Sequence, residues 1–474
     1  MSPRISAGLC SLLWFAASCA TPPADERRRP NVVVFLADDL GWRDIGAYGQ
    51  AFAETPRLDR LAREGTVFDA AYAACPVCSP TRAALLTGKY PPRVDITDWI
   101  PGGGSKDMPL VPPNDRDDLA LEETTLAELL RARGYATFHV GKWHLGGPGR
   151  LPEDQGFDVN VMGGHIGHPA SHFYPYGRAT GSRPAQSHAV PALPPGGEAG
   201  EYLADRQATE AVRLITSVAD GGAPFFLYLP FYGVHAPLEA PPELLAKYRR
   251  LHDTPAGRTA AGAMRPVHAA MVESLDSAVG RVLDALDSLG LAEDTLVVFT
   301  SDNGGVSGVT ESAPLRGAKR SLYEGGIRVP LIVRYPGVAR AGLRSDAIAI
   351  TQDVFATVAV AAGATLPPEV AVDARDLSPI LSTRAAALDR EAIYWHFPHY
   401  LSAVVPPGGA MRRGRFKLVE SYGDLPPELY DLAVDPAEAH DLAASDPERV
   451  ADLRRRSAAW RSSVGARMPV PRAR

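Results

Sequence analysis

The chain has 474 residues, a formal net charge of −6 and 45% hydrophobic side chains. That is enough length for one large domain with a smaller companion, and the mild negative balance argues against a broad polyanion-binding surface and hence a nucleic-acid partner. With 44 glycines and 43 prolines, long functional loops are expected.

The first twenty residues have the pattern of an export signal: Arg4, an apolar core from Ile5 to Ala17, then small residues. That core is too short to span a membrane. Ala17-Ser18-Cys19-Ala20 has the shape of a lipoprotein cleavage box, which would make Cys19 a lipid anchor, although Ala16 stands where leucine is usual. Ordinary cleavage after Ala20 is the alternative. Residues 21–29 would then be a tether, and the mature protein would lie in the periplasm or be anchored at the outer membrane. Without the signal, Cys75 and Cys78 are left in the folded part, too few for a disulfide framework. Their Cys-x-x-Cys spacing invites a thioredoxin-like reading, but no small domain of that kind surrounds it.

Asn31 to Ala37 is a continuous apolar run, as expected of a strand buried on both faces, and it ends in Asp38-Asp39. Ligands of open α/β sheets gather beyond the carboxyl ends of strands. Adjacent carboxylates there repel each other unless a cation neutralises them, and hard oxygen donors suit calcium or magnesium. The bland alternative is an Asp pair opening a helix. Pro76-Val77-Cys78-Ser79-Pro80-Thr81-Arg82 follows. Ser79 before Pro80 predicts an N-cap with proline at the first helical position, and Thr87-Gly88 predicts the stop. Cys78 would then sit at a helix mouth that favours negative charge, with Arg82 one turn along.

Thr124 to Arg133 is an amphipathic helical stretch. Tyr135 to Val140 is a strand ending in Gly141-Lys142-Trp143-His144, where Lys142 and His144 can face one ligand. Pro224 to Leu229 is another strand, leading to His235-Ala236-Pro237. Thr295 to Thr300 repeats the first pattern, ending in Ser301-Asp302-Asn303-Gly304-Gly305. Two strand ends of matching oxygen chemistry, far apart in the chain, point to one shared metal, and the glycines let backbone approach closely. Leu315 to Lys319 precedes Tyr323 to Pro330. A plausible linker, Thr383 to Asp389, separates this from Ile393–Phe397, Met411–Leu418 and Glu428–Leu432, which are expected as short antiparallel strands with a last helix from Arg449 to Val464 packed on them.

The stretch Cys78-x-Pro80-x-Arg82, with its apolar pair and Thr87-Gly88, resembles the signature of the type I, formylglycine-dependent sulfatases of the alkaline phosphatase-like superfamily. Gly134-Tyr135-x-Thr137-x-x-Val140-Gly141-Lys142-Trp143-His144 is similar to that family's second signature. The resemblance runs from about Asn31 to Pro336. It implies an α/β fold: a large domain (30–382) with a mixed, mostly parallel sheet flanked by helices, and a small C-terminal α+β domain (390–474) with a short antiparallel sheet.

It also implies chemistry. Cys78 would be oxidised to formylglycine by a formylglycine-generating or anaerobic sulfatase-maturing enzyme, before any pairing with Cys75. One calcium ion would be held by Asp38, Asp39, Asp302, Asn303 and the converted Cys78. Lys142 and Lys319 would bind sulfate, Arg82 would fix the nucleophile, and His144 would take the proton that releases the product. His235, with Lys319, would protonate the leaving oxygen. Loops Thr97–Gly102, Gly156–His168 and Phe173–Gly177 look similar to those of sulfatases acting on sulfated carbohydrates, with O4 of a galactose-type residue one option. Trp99, His165 and His168 are the candidate substrate contacts. A phosphatase or phosphonate hydrolase of the same superfamily, and an exported calcium- or glycan-binding module, are the alternatives.

Overall fold

A computed structural model describes residues 29–102, 107–177, 188–365, 372–383, 388–400 and 405–472. The expected signal segment and most of the tether lie outside the described residues, as does the middle of the expected linker. At the centre is an eight-stranded sheet. In spatial order its strands are Leu343–Ser345, Thr66–Phe68, Leu331–Arg334, Thr295–Ser301, Asn31–Ala37, Phe225–Pro230, Ala136–Val140 and Val159–Val161. All pairings are parallel except those of Leu331–Arg334 with its two neighbours, so the sheet is mixed and mostly parallel.

The apolar run Asn31–Ala37 occupies the middle because both of its faces are buried. Val33 and Phe35 pack under the helices Leu203–Val218 and Pro266–Ser288, whereas Val32, Val34 and Leu36 pack under Cys78–Thr87, Leu126–Ala132 and Asp353–Ala361. Burying a large aliphatic or aromatic side chain contributes about 1.5–3 kcal/mol, so this strand is held from both sides. Among the described residues no helix is long and apolar enough to cross a membrane.

A second, four-stranded antiparallel sheet follows in the order Ile393–Phe397, Gly408–Arg413, Phe416–Ser421, Glu428–Asp431. The segment expected as one strand from Met411 to Leu418 is two strands of a hairpin, turned at Gly414 with φ 56°. The helix Pro447–Ser463 covers this sheet through Val450 and Leu453, which meet Met411, Leu418 and Leu429. Trp395 and Ile393 pack against Tyr72, Ile327 and Ile350 of the large sheet's flank, so the two sheets share a core.

The buried Lys417 ammonium reinforces that junction. It lies 2.9 Å from Glu324 Oε1 and 2.8 Å from Glu438 Oε1, the latter an ion pair outside hydrogen-bond alignment. Glu324 opens a helical turn five residues after Lys319, so the small sheet grips the segment that carries Lys319.

Candidate active site

The parallel ladder continues past the strand ends and carries the acidic residues with it. Asp38 N donates to Gly233 O at 3.0 Å, Asp302 N to Ala37 O at 3.1 Å, and Lys142 N to Pro230 O at 2.8 Å. Asp39 is in the left-handed region, φ 65°, and its amide turns to Asp302 Oδ1 at 3.2 Å. Two glycines permit the crowding. A Cβ on Gly304 would lie 2.0 Å from Gly325 O, and one on Gly141, φ 126°, would lie 2.0 Å from Pro230 O. Asp38, Asp39, Arg82, Lys142, Asp302 and Asn303 are all buried.

Three carboxylates and three cations pair one to one. Arg82 donates to Asp302 Oδ2 through Nε at 3.1 Å and Nη2 at 2.7 Å, and through Nη1 to the Lys142 carbonyl at 2.9 Å. Lys142 Nζ donates to Asp38 Oδ2 at 2.7 Å, and Lys319 Nζ is 2.5 Å from Asp39 Oδ1. Burial pushes the Asp38 carboxyl up to about 8 against the pull of Lys142. Burial acts on Asp39 in the same sense, but Lys319, His235 and the Asn303 amide outweigh it and hold that carboxyl below the usual range.

Two oxygens in this cluster have no partner: Asp38 Oδ1 and Asn303 Oδ1 are buried and accept no hydrogen bond among the described residues. Leaving such groups unsatisfied costs about 1–3 kcal/mol each. A hard dication bound by oxygen would satisfy both, so the residues present fit calcium. The tightest grouping of donor atoms is Asp38, Asp39 and His235, all within 4.8 Å of one another. It keeps Asp38 and Asp39 of the expected ligands and brings in His235, which was expected as a catalytic group; Asp302 turns one oxygen to Arg82, and the Cys78 thiol lies outside the trio.

Cys78 opens the helix Cys78–Thr87, all of whose residues are buried. The expected cap is corrected here. Val77 is the N-cap, and Ser79 lies inside the first turn with its hydroxyl committed elsewhere. Ser79 Oγ donates to His144 O at 3.0 Å and accepts from Ile100 N at 3.1 Å, tying three segments of the site together. Gly88 ends the helix at φ 70°, as expected. Cys75 and Cys78 are both free thiols, so the Cys-x-x-Cys pair forms no disulfide in this structure. Burial raises the Cys78 pKa, while Lys142 and Lys319 pull it down.

The two histidines are poised differently. His144 Nε2 is 2.6 Å from the Ile100 carbonyl. Since a carbonyl only accepts, Nε2 carries the hydrogen and Nδ1 is left bare, buried and without a partner among the described residues. Burial, then Lys142, holds this ring well below its ordinary pKa. His235 is fixed the other way: Nδ1 donates to Ala236 O at 2.9 Å and Nε2 faces Asp39 Oδ2 at 3.5 Å.

The sulfatase family profile matches residues 30–364, and that of the N-sulphoglucosamine sulphohydrolase C-terminal region matches residues 317–457. The chain belongs to the sulfatase family. This sulfatase is 32% identical to a "Sulfatase" of Formosa agariphila, over 90% of its own length and 86% of that protein's. It is 33% identical to human arylsulfatase A, covering 89% and 85% of the two chains. Among solved structures, Ps i-CgsB, crystallised with k-i-k-neocarrahexaose, superimposes with a TM-score of 0.75 at 29% identity, covering 91% of this chain and 92% of that one. Family membership makes the chain a sulfuric ester hydrolase, and the fold is that of the alkaline phosphatase-like superfamily.

In this sulfatase a cavity of about 440 Å³ opens on Cys78, His144, His235 and Lys319. Trp99, His165 and His168 line the same cavity. Pro101 and Ile166, from loops expected here, line it too, as do His188 and Arg320, which were missed from sequence. For Arg320 the available signal was its place directly after Lys319; His188 carried none. The aromatics Phe173, Tyr174 and Tyr176 do not reach the cavity. Tyr176 is buried in the core and donates to Glu201, and the other two pack beside it, so they fill a long loop. A larger cleft of about 1100 Å³ opens at the opposite, amino ends of the strands, beside Asn31 and Pro224. Only the smaller cavity lies at the carboxyl ends, where ligands of open α/β sheets bind.

Proposed function

We propose that this sulfatase hydrolyses a sulfate monoester on a sulfated sugar, with Cys78 matured to formylglycine and one calcium ion held at Asp38, Asp39 and Asn303, with Asp302 beside them. The observation that carries the reading is the pair of partnerless buried oxygens beside three fixed cations at the foot of the Cys78 cavity. In the family the formylglycine hydrate supplies the attacking oxygen, and the calcium ion orients it and polarises a sulfate oxygen.

The chain's own residues do the rest. Lys319 and Lys142 present ammonium groups to the sulfate, and the Asp39 carboxylate beside Lys319 holds that ammonium protonated against its burial. Arg82, locked by Asp302 and the Lys142 carbonyl, holds the rear of the nucleophile segment in place. Lys319 Nζ supplies the proton to the leaving oxygen; His235 stands beside it, and with its Nδ1 hydrogen committed to Ala236 O its Nε2 can donate only as the imidazolium, which Asp39 favours and burial opposes. His144 accepts a proton at its bare Nδ1, because Ile100 holds the other hydrogen at Nε2.

Support for a sugar comes from the cavity wall, where Trp99, His165 and His168 combine an aromatic platform with polar edges, and from Ps i-CgsB with its bound oligosaccharide. Two-metal phosphatase chemistry has less support. Among the described residues the one grouping of three or more His, Cys, Asp or Glu side chains able to hold a metal is Asp38, Asp39 and His235. Export, a lipid at Cys19 and encounter with a maturing enzyme complete the proposal.

Sulfate release from 4-nitrophenyl sulfate and from a panel of sulfated monosaccharides, by protein co-produced with a formylglycine-generating enzyme, tests it. Cys78→Ala should reduce turnover by at least about 10⁴-fold, the scale of losing a covalent nucleophile, without changing the melting temperature by more than a few degrees. Wild-type rates in that variant refute the assignment.

A further inference from the structure

We propose that the rim of the Cys78 cavity holds a second anion-binding subsite centred on Arg320, so that the preferred substrate is a sugar unit carrying a second sulfate or a carboxylate besides the ester that is cleaved. This rests on the sulfated-sugar reading above and narrows it.

At the foot of the cavity every fixed cation already faces a carboxylate: Arg82 faces Asp302 at 2.7 Å, Lys142 faces Asp38 at 2.7 Å and Lys319 faces Asp39 at 2.5 Å. Arg320 breaks that pattern. It lines the same cavity and is exposed, and among the described residues its guanidinium has no hydrogen-bond or ion-pair partner. The described residues lining the cavity include no aspartate or glutamate.

The backbone at Arg320 shows the same selection. Its φ is 77°, a region that costs a non-glycine residue about 1 kcal/mol or more and is retained mainly where the side chain's position matters. Its amide donates to Pro76 O at 3.0 Å, two residues ahead of Cys78, so the backbone from which the side chain extends is tied to the nucleophile segment. Lys319 N donates in turn to Gly305 O at 2.8 Å, which fixes the preceding residue to the Asp302 loop.

Histidines form part of the same wall. His168 stacks on His235 at 5.5 Å between ring centroids and on His188 at 4.4 Å, giving a three-ring shelf beside His165. A sugar ring lying on that shelf with its reacting sulfate inward presents its other substituents to the rim. The planar fork of a free guanidinium matches the paired oxygens of a sulfate or carboxylate.

The test compares the matured wild type with Arg320→Gln on substrates carrying one or two anionic groups: 4-nitrophenyl sulfate, a galactose bearing one sulfate, a galactose disaccharide bearing two sulfates, and a monosulfated disaccharide with a uronate. A charge-assisted fork contributes enough that the ratio of kcat/KM on two-anion to one-anion substrates should fall about 10- to 100-fold in the variant. The fall should sit in KM and shrink as salt is raised. Loss on the disulfated but not the uronate substrate identifies a sulfate-binding subsite, and the reverse identifies a carboxylate-binding one. An unchanged ratio, whether both rates hold or both fall together, overturns the subsite while leaving the sugar reading intact. A wild type that releases sulfate from no saccharide sinks both.

Discussion

Stripping the protein of divalent ions and adding calcium back probes the oxygen cluster directly. Asp38 Oδ1 and Asn303 Oδ1 are buried without partners, and at about 1–3 kcal/mol each they weigh about 2–6 kcal/mol against the ion-free fold. At a free calcium concentration a hundred times the dissociation constant, binding to the native state alone adds about 2.7 kcal/mol. A chain of this size unfolds with an entropy of about 1 kcal/mol/K, from about 2.1 cal/mol/K per residue, so the melting temperature should rise by about 3 °C. Asn303→Ala removes one of the two oxygens and should leave less than half of that increment, although the variant also loses the donor to Asp39 at 2.8 Å. Calorimetry with and without chelator, on protein that need not be catalytically mature, reads both numbers. A metal-stripped wild type whose melting temperature ignores calcium, or an Asn303→Ala variant that keeps the full increment, refutes the reasoning.

Acid should weaken the fold through two buried histidines that do not line the cavity. His172 and His396 are pushed down to about 4, chiefly by burial. The unfolded chain therefore binds their protons below about 6.5 while the native chain does not; the stability is intact above about 6.5 and is lost as pH falls toward 4, by about 3 kcal/mol per histidine. His396→Gln should flatten the melting-temperature profile between pH 7 and 4.5 by one such share. Lys417→Met would leave Glu324 and Glu438 buried without their cation, a loss of about 3–5 kcal/mol. Adding Glu324→Gln should recover part of the lost stability, and KM for the sulfate ester should rise in the single variant because the Lys319 segment loosens.

Much of the frame was legible in the chain. The unbroken apolar stretches Val32–Ala37 and Leu296–Phe299 are what a doubly covered strand requires, and both acidic strand ends fall where the ladder delivers them. What escaped was decided by distant partners. Ser79 has the chemistry of a cap, yet its hydroxyl is taken by His144 O and Ile100 N, contacts that no local pattern announces. The turn at Gly414 hides between arginines, so two strands looked like one. Phe173 to Tyr176 are as aromatic as Trp99, but only packing separates filler from platform. Arg320 matters because of what it lacks, and a missing partner has no signature in sequence.

The order of strands sets a timetable for the nascent chain. Asn31–Ala37 pairs with Phe225–Pro230 on one side and Thr295–Ser301 on the other, so the central strand waits for partners synthesised long after it. Roughly 220 residues separate Cys78 from Ser301, and at about 5–20 residues per second they take about 10–45 s to make. Through that interval the thiol, sealed within a fully buried helix once folding ends, stays within reach of another enzyme. With Cys78 matured as proposed above, slow closure of a long-range sheet would act as a clock, and inserting a stall-free or a slowed stretch of codons between the two strands should lower or raise the fraction of chains modified at Cys78.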